Sequence, residues 1–268
     1  MTWRRLRRDR WTLAAAMFLA VLLLVAAAAP LVVDVFGLGG PNLRHPAAVS
    51  ALGVPSGPSG AHPFGVDDLG RDVLARVVYG ARVALEVGLL GALIATVLGA
   101  AIGLGASYAP APVRMLVLAA LDACMAVPAI LLGVGIGLAC GASGCASGVV
   151  SPGRATVIFA VAVAGFGVIA PEVMRVTGDR RQRPVTRLCV AGVGVVPAAI
   201  LLEVALGFLG VGVRSPNADW GQMIASAGRD IAGGDASWWG LVFPGLGVLA
   251  TVIAFGLLAR GVERAVRA

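Results

Sequence analysis

The sequence predicts an all-α membrane protein of about six transmembrane helices, and three observations predict it. Of its 268 residues, 59% are hydrophobic and only 13% charged, against about 25% charged in ordinary soluble domains. The apolar residues come in blocks long enough to cross the hydrocarbon core, which takes about 20 residues of helix. These blocks are rich in Ala, Leu and Gly and lack the period-2 alternation of a transmembrane barrel. Six spans are read at roughly 11–33, 83–107, 114–138, 153–173, 188–212 and 239–259.

The first apolar run is longer than the core of a secretory signal, about 7–15 residues. It is therefore read as a retained helix, although Ala26–Ala29 resembles a small-residue cleavage site. Residues 1–33 form an N-terminal segment and first helix, 34–82 an external linker with an amphipathic stretch, and 83–268 a core of about five helices. Arg4, Arg5, Arg7, Arg8 and Arg10 precede the first span. Placing them inside puts 14 Arg inside and 7 outside, which satisfies the positive-inside rule with both termini cytoplasmic.

Residues 34–66 are rich in Pro and Gly and show no periodicity. Asp67 or Asp68 is expected to cap a helix that follows, since a carboxylate there meets unpaired N–H groups. Leu69, Val73 and Val77 recur four residues apart, while Asp68, Asp72 and Arg76 fall on another face. Asp72 and Arg76 stand in the favourable acid-before-base order. Asp67, Asp68, Arg71, Asp72 and Arg76 thus mark an amphipathic helix that lies at the membrane interface or packs over the outer mouth; the alternative is a solvated turn.

The second span carries Gly88, Gly91, Gly99, Gly103 and Gly105, and the third Gly133, Gly135 and Gly137. Small residues let transmembrane helices approach closely. Three acids fall inside spans: Glu86 near the outer end of the second, Asp122 in the third ahead of the kink-forming Pro128, and Glu203 in the fifth. An ionisable group at the centre of a span costs about 2.5–3.5 kcal/mol on insertion scales. Each is a candidate to line a polar pathway or to contact a partner helix; the alternative is a structural acid bonded to a neighbouring span. The internal segment Met174–Arg187 holds five Arg that orient the protein, dock on an acidic surface, or both. Arg214–Trp239 is a second external excursion, with Trp238 and Trp239 expected in an aromatic belt.

Cys124 and Cys189 fall within spans as small packing residues. Cys140 and Cys145 sit in the external run CGASGC; they form a disulfide if that compartment is oxidising, or remain two free thiols.

Several functions are excluded. All 21 basic residues are Arg, so neither a phosphate-binding GxxxxGK[ST] loop nor a Schiff-base lysine is present. If ATP powers the protein, another chain binds it. The only His residues, His45 and His62, lie outside the spans, so no intramembrane metal site or Ser–His pair is expected, and no catalytic residue or cofactor. The Arg residues are spread over loops, which argues against a nucleic-acid partner. No internal repeat is apparent, which argues against a stand-alone secondary transporter.

The run HPFGVDDLGRDVLARVVYGARVALEVG (62–88) resembles the signature HPLGTDxxGRDxxSRxxYGxRxSLxVG of permease subunits in bacterial dipeptide, oligopeptide and nickel ABC importers, specifically the C-type (DppC- and OppC-like) partner of the pair. LDACMAVPAILL (121–132), LLEVALGFLGVGVRSPNADWGQMIASAGRDI (201–231) and the terminal span and tail at 238–266 resemble later family motifs in the same order. The resemblance implies a type-I ABC importer permease fold in a bacterial inner membrane. It also implies a homologous B-type permease, two cytoplasmic ATPase subunits and an external substrate-binding protein as partners, with the lipid bilayer around them. It implies a non-catalytic subunit that carries di- or oligopeptides; related systems carry nickel or haem.

One departure stands out. The stretch between Gly165 and Phe208 is shorter than the family pattern, which places an EAA-x-x-x-G-like coupling motif there. Glu172 and Gly178 keep that motif's spacing; alternatively GFGVIAPEVMR ends the fourth span and the motif is absent. By this resemblance Glu172, Arg175, Gly178, Asp179, Arg180, Arg181 and Arg183 are the candidates for contact with the ATPase.

Overall fold

A computed structural model of the chain describes residues 9–51, 53–143, 153–177, 184–213, 217–234 and 237–267. Among them the elements are α1 (Arg10–Ala27), α2 (Ala29–Val35), α3 (Val73–Tyr108), α4 (Ala111–Ala126), α5 (Ala129–Ser143), α6 (Arg154–Thr177), α7 (Pro184–Phe208), α8 (Trp220–Ala232) and α9 (Trp239–Arg267). No strand occurs among the described residues, only isolated β-bridges. Among the described residues five helices are long and apolar enough to cross a membrane, and the bent pair α4–α5 meets the same test taken together, as a broken span or a re-entrant loop. The all-α membrane fold expected from composition is the fold observed.

Boundaries differ from expectation where a local feature interrupts or extends a helix. The first span breaks at Ala28, and α2 restarts with Pro30 in its first turn. The third span bends by 78° between α4 and α5, at Pro128, whose carbonyl accepts from Leu131 and Leu132 N. The expected amphipathic helix is not separate: α3 is one helix of 36 residues, about 54 Å long at 1.5 Å per residue, so it extends well beyond a core of about 30 Å. Its cap is Asp72 rather than Asp67 or Asp68. Gly70, at φ 72°, takes a left-handed turn that ends any helix begun earlier.

Helix α3 is the axis of the bundle. Gly91, Gly99 and Gly103 lie on one face of it and receive α6 at close range. A Cβ at Gly99 would come 2.6 Å from Ile169 Cβ, and one at Gly103 2.6 Å from the Ala170 carbonyl oxygen. Gly88 faces Ile200 of α7 in the same way. Around this axis α1, α7 and α9 close a core containing Leu19, Leu85, Ile200 and Phe255, while Val87, Val161 and Leu206 join α3, α6 and α7. At one end of the bundle Thr12 packs on Gly261 and Arg264 Nη2 lies 2.6 Å from Asp9 Oδ2, so the start of α1 and the end of α9 meet there. The opposite end carries the 36–72 segment, α8 and the turns flanking it.

Candidate functional site

The polar residues expected on an amphipathic helix instead build a turn that locks the start of α3. Asp67 Oδ1 accepts from Leu69 N at 3.1 Å and Arg71 N at 2.8 Å, and its Oδ2 from Arg71 Nε at 2.7 Å. Asp72 Oδ1 accepts from Ala75 N at 2.8 Å, and its Oδ2 lies 2.8 Å from His62 Nδ1. His45 packs edge-on to His62, ring centroids 4.9 Å apart. Asp72 and Arg76 therefore do not pair as the i,i+4 spacing suggested. Capping takes up one Asp72 oxygen and His62 the other, while Arg76 turns to Asp67, 3.6 Å away, and to the Pro41 carbonyl oxygen. Trp239, expected in an exposed belt, is buried and donates from Nε1 to the Val66 carbonyl oxygen at 2.9 Å. Trp238 is half exposed.

Below this turn lies a buried electrostatic seam between α3, α7 and α8. The sequence DWG at 219–221 assembles it. Asp219 caps α8, accepting from Gly221 N at 2.6 Å and Gln222 N at 3.3 Å. Trp220 inserts between α3 and α9, against Gly80 and Gly247, and donates to the Val77 carbonyl oxygen at 3.0 Å. Gly221 rests on the backbone of α7 at Val204. Asp219 thereby lies on Gly207, one helical turn from Glu203. Glu203 is 1% exposed and Asp219 0%. Neither Glu203 oxygen has a hydrogen-bond partner, nor does Asp219 Oδ2. Burial raises the Asp219 carboxyl to about 6, although two backbone N–H groups and the Arg76 charge pull the other way. Arg76 is itself 5% exposed.

Between the 66–76 turn and α8 opens a cavity of about 240 Å³ lined by Asp67, Asp68, Arg71, Arg76, Arg229 and Trp239, among others. Beside it a second cavity of about 220 Å³ is lined by Pro41, Tyr79, Arg82, Arg154 and Asn217. There Glu86 joins two elements: Arg82 Nε donates to it at 3.0 Å and Arg154 Nη1 at 2.8 Å, while Arg154 Nη2 reaches Asn217 at 2.7 Å. Asp122, by contrast, is exposed on α4, a helix that also exposes Met115 and Leu116.

At the end where α1 begins and α9 ends, Met174–Thr177 and Pro184–Arg187 are helical, so the basic segment is shorter than a 14-residue loop. Arg175 Nη1 lies 3.4 Å from Glu172 Oε2, with Arg175 largely exposed. An apolar cavity of about 190 Å³ lies between Leu104, Val173, Val176 and Leu188, with Glu172 and Arg187 on its rim. Gly178, Asp179, Arg180, Arg181 and Arg183 lie outside the described residues, as do the side chain of Cys140 and all of Cys145. Cys124 and Cys189 are free and exposed on this chain. Among the described residues no group of three His, Cys, Asp or Glu could hold a metal ion.

Asp219, Trp220, His62 and Arg154 were not singled out from the sequence. The DWG run carried a usable signal, an N-cap acid followed by an aromatic and a glycine. The pairing of Asp219 with Glu203 had none, because it joins different helices.

No family model matches the chain. It is 34% identical over 278 residues, covering 98% of this chain and 89% of the relative, to a protein of Brucella abortus biovar 1 named as a peptide transport system permease. It is 32% identical over 230 residues to the di/tripeptide transport system permease protein DppC of Pseudomonas aeruginosa, covering 75% of this chain and 70% of that one. To the glutathione transport system permease protein GsiD of Pectobacterium atrosepticum it is 30% identical over 224 residues, covering 78% and 73%.

Proposed function

Because the chain belongs to the DppC-like permeases of ABC peptide transporters, we propose that it forms one half of a pathway importing di- or oligopeptides across the bacterial inner membrane. The observation that carries this reading is the match over nearly the whole chain, 98% of its residues, together with five to six candidate spans among the described residues. The other half of the pathway comes from a homologous permease. Two cytoplasmic ATPases supply the energy, and an external binding protein delivers the peptide.

In this reading both termini are cytoplasmic, and the end bearing the seam and the charged turn faces outward. Asp122 supports the partner-facing role. A carboxylate on an exposed apolar helix is costly against lipid, so α4–α5 faces the second permease or the water-filled pathway. Glu86 and Glu203 have different surroundings: Glu86 ties α3 to α6 through Arg154, and Glu203 is enclosed. Glu86 therefore holds α3 and α6 in register, and Glu203 is shut off from the pathway within this chain. Glu172, Arg175 and the basic residues through Arg187 make the ATPase contact at the opposite end. The chain performs no chemistry of its own.

The test is reconstitution of the complete complex in vesicles, with peptide uptake followed with and without ATP. ATP-dependent accumulation of short peptides that excess nickel or haem does not inhibit is the expected result. Uptake independent of ATP would overturn the reading.

A further inference from the structure

We infer that a single proton, carried by Glu203 and donated to Asp219 Oδ2, is the bond that fastens α7 to α8. Both carboxyls are shut off from water, at 1% and 0% exposed. Glu203 Oε1 and Oε2 and Asp219 Oδ2 meet no donor among the described residues. An ionised carboxylate only accepts hydrogen bonds. Two of them side by side leave those oxygens unsatisfied and repel each other. Buried polar groups without a partner are rare in native proteins, and each is costly. A proton on one acid turns an acceptor into a donor and removes both costs. A metal ion would need several oxygen ligands and room for them; a proton needs neither.

The surroundings decide which acid holds the proton. Asp219 takes two N–H groups at the start of α8, where the helix dipole favours negative charge, and it lies under the Arg76 charge. Among the described residues the one charge that acts on Glu203 is Asp219 itself. The other groups nearby are committed elsewhere. On α3, Asp72 serves its cap and His62, Arg76 reaches Asp67 and the Pro41 carbonyl oxygen, and Arg82 and Glu86 meet Arg154 or each other. In the preceding turn Asp67 binds Arg71, and Asp68 is exposed. On α8, Gln222 gives its amide to the Val213 carbonyl oxygen, while Arg229 and Asp230 stand in the last turns. From Leu188 to Phe208 α7 holds no other acid or base, and α9 holds none from Trp239 to Ala259. Arg76 thus balances one carboxylate of the seam, and the proton neutralises the other. Helix α8 walls the larger cavity at this end. With the proton in place α8 is tied to α7; without it the joint has two acceptors and no donor.

The experiment compares infrared spectra of the purified complex in lipid nanodiscs at neutral pH, native against Glu203→Gln. A C=O band of a protonated carboxyl, present in the native complex and missing from the variant, is expected. Thermal unfolding then separates the bond from mere packing. Glu203→Gln keeps a donor for Asp219 Oδ2 and should unfold at the native Tm. Glu203→Leu, of similar bulk, leaves that oxygen unpaired and should lower Tm by about 3–6 °C. No such band, or a band of equal height in Glu203→Gln, would overturn the inference. So would a Glu203→Leu variant as stable as Glu203→Gln. A native Tm that changes between sodium, potassium and choline at fixed pH and ionic strength would also overturn it, by putting a metal cation where the proton is assigned.

Discussion

Glu203 and Asp219 are neighbouring carboxyls in a seam closed to water, and three of their four oxygens receive no hydrogen bond. Among the described residues Arg76 supplies the positive charge that acts on Asp219. The two acids join α7 to the N-terminus of α8, so their protonation bears on how firmly that end of the molecule holds together.

Asp219 titrates near 6 rather than 3.8 because it is buried. The folded chain thus keeps this proton over a range in which the unfolded chain has released it. The contribution of Asp219 to stability falls as pH rises from about 4 to about 6 and is level above. Acidification from pH 7 to pH 5 should therefore raise the Tm of the solubilised complex more for the native chain than for Asp219→Asn, which keeps an oxygen for the cap. Parallel Tm–pH curves for the two would exclude this seam as the source.

The glycines of α3 divide into two kinds. Gly103 meets α6 backbone, whereas nothing lies within 4 Å of a Cβ placed at Gly105. Gly103→Val should destabilise by about 1–3 kcal/mol through overpacking, and Gly105→Ala should be neutral or slightly stabilising, up to about 1 kcal/mol, from helix propensity. Thermal unfolding of the two variants in one detergent checks the contrast.

Asp72 both caps α3 and meets His62. Asp72→Ala is expected to cost about 1–2 kcal/mol from the cap and to loosen the 62–72 turn, seen as faster hydrogen exchange at Ala75 and Arg76. Asp68→Ala, four residues earlier and outside any cap, should leave exchange there unchanged.

Arg180 and Arg181 belong to the short basic connection between α6 and α7. Reversing both to Glu should abolish or uncouple peptide uptake, with ATP hydrolysis either lost with the ATPases or continuing without transport. Uptake at the native rate would show that coupling runs elsewhere.

The crossings were legible because each depends on a run of apolar residues, a local property. The kink at Pro128 was legible for the same reason: proline removes a donor wherever it stands. The start of α3 was misplaced because Asp67, Asp68 and Asp72 all have capping chemistry. The choice rests on Gly70 adopting positive φ and on Asp67 spending its oxygens on Leu69 and Arg71. The Asp72–Arg76 pair failed because His62, ten residues earlier, claims the carboxylate. Trp239 looked like a belt residue, yet Val66 offers it a buried carbonyl 173 positions away. Such contacts follow from helix packing, which no local pattern encodes.

The measurement that bears most directly on the central claim is affinity purification of this chain from its native membrane in mild detergent, with identification of the co-purifying proteins and an ATPase assay. A second permease, ATPase subunits and ATP hydrolysis in the sample are the predicted result. Recovery of the chain alone, with no ATP hydrolysis under conditions that keep the bundle folded, would contradict it.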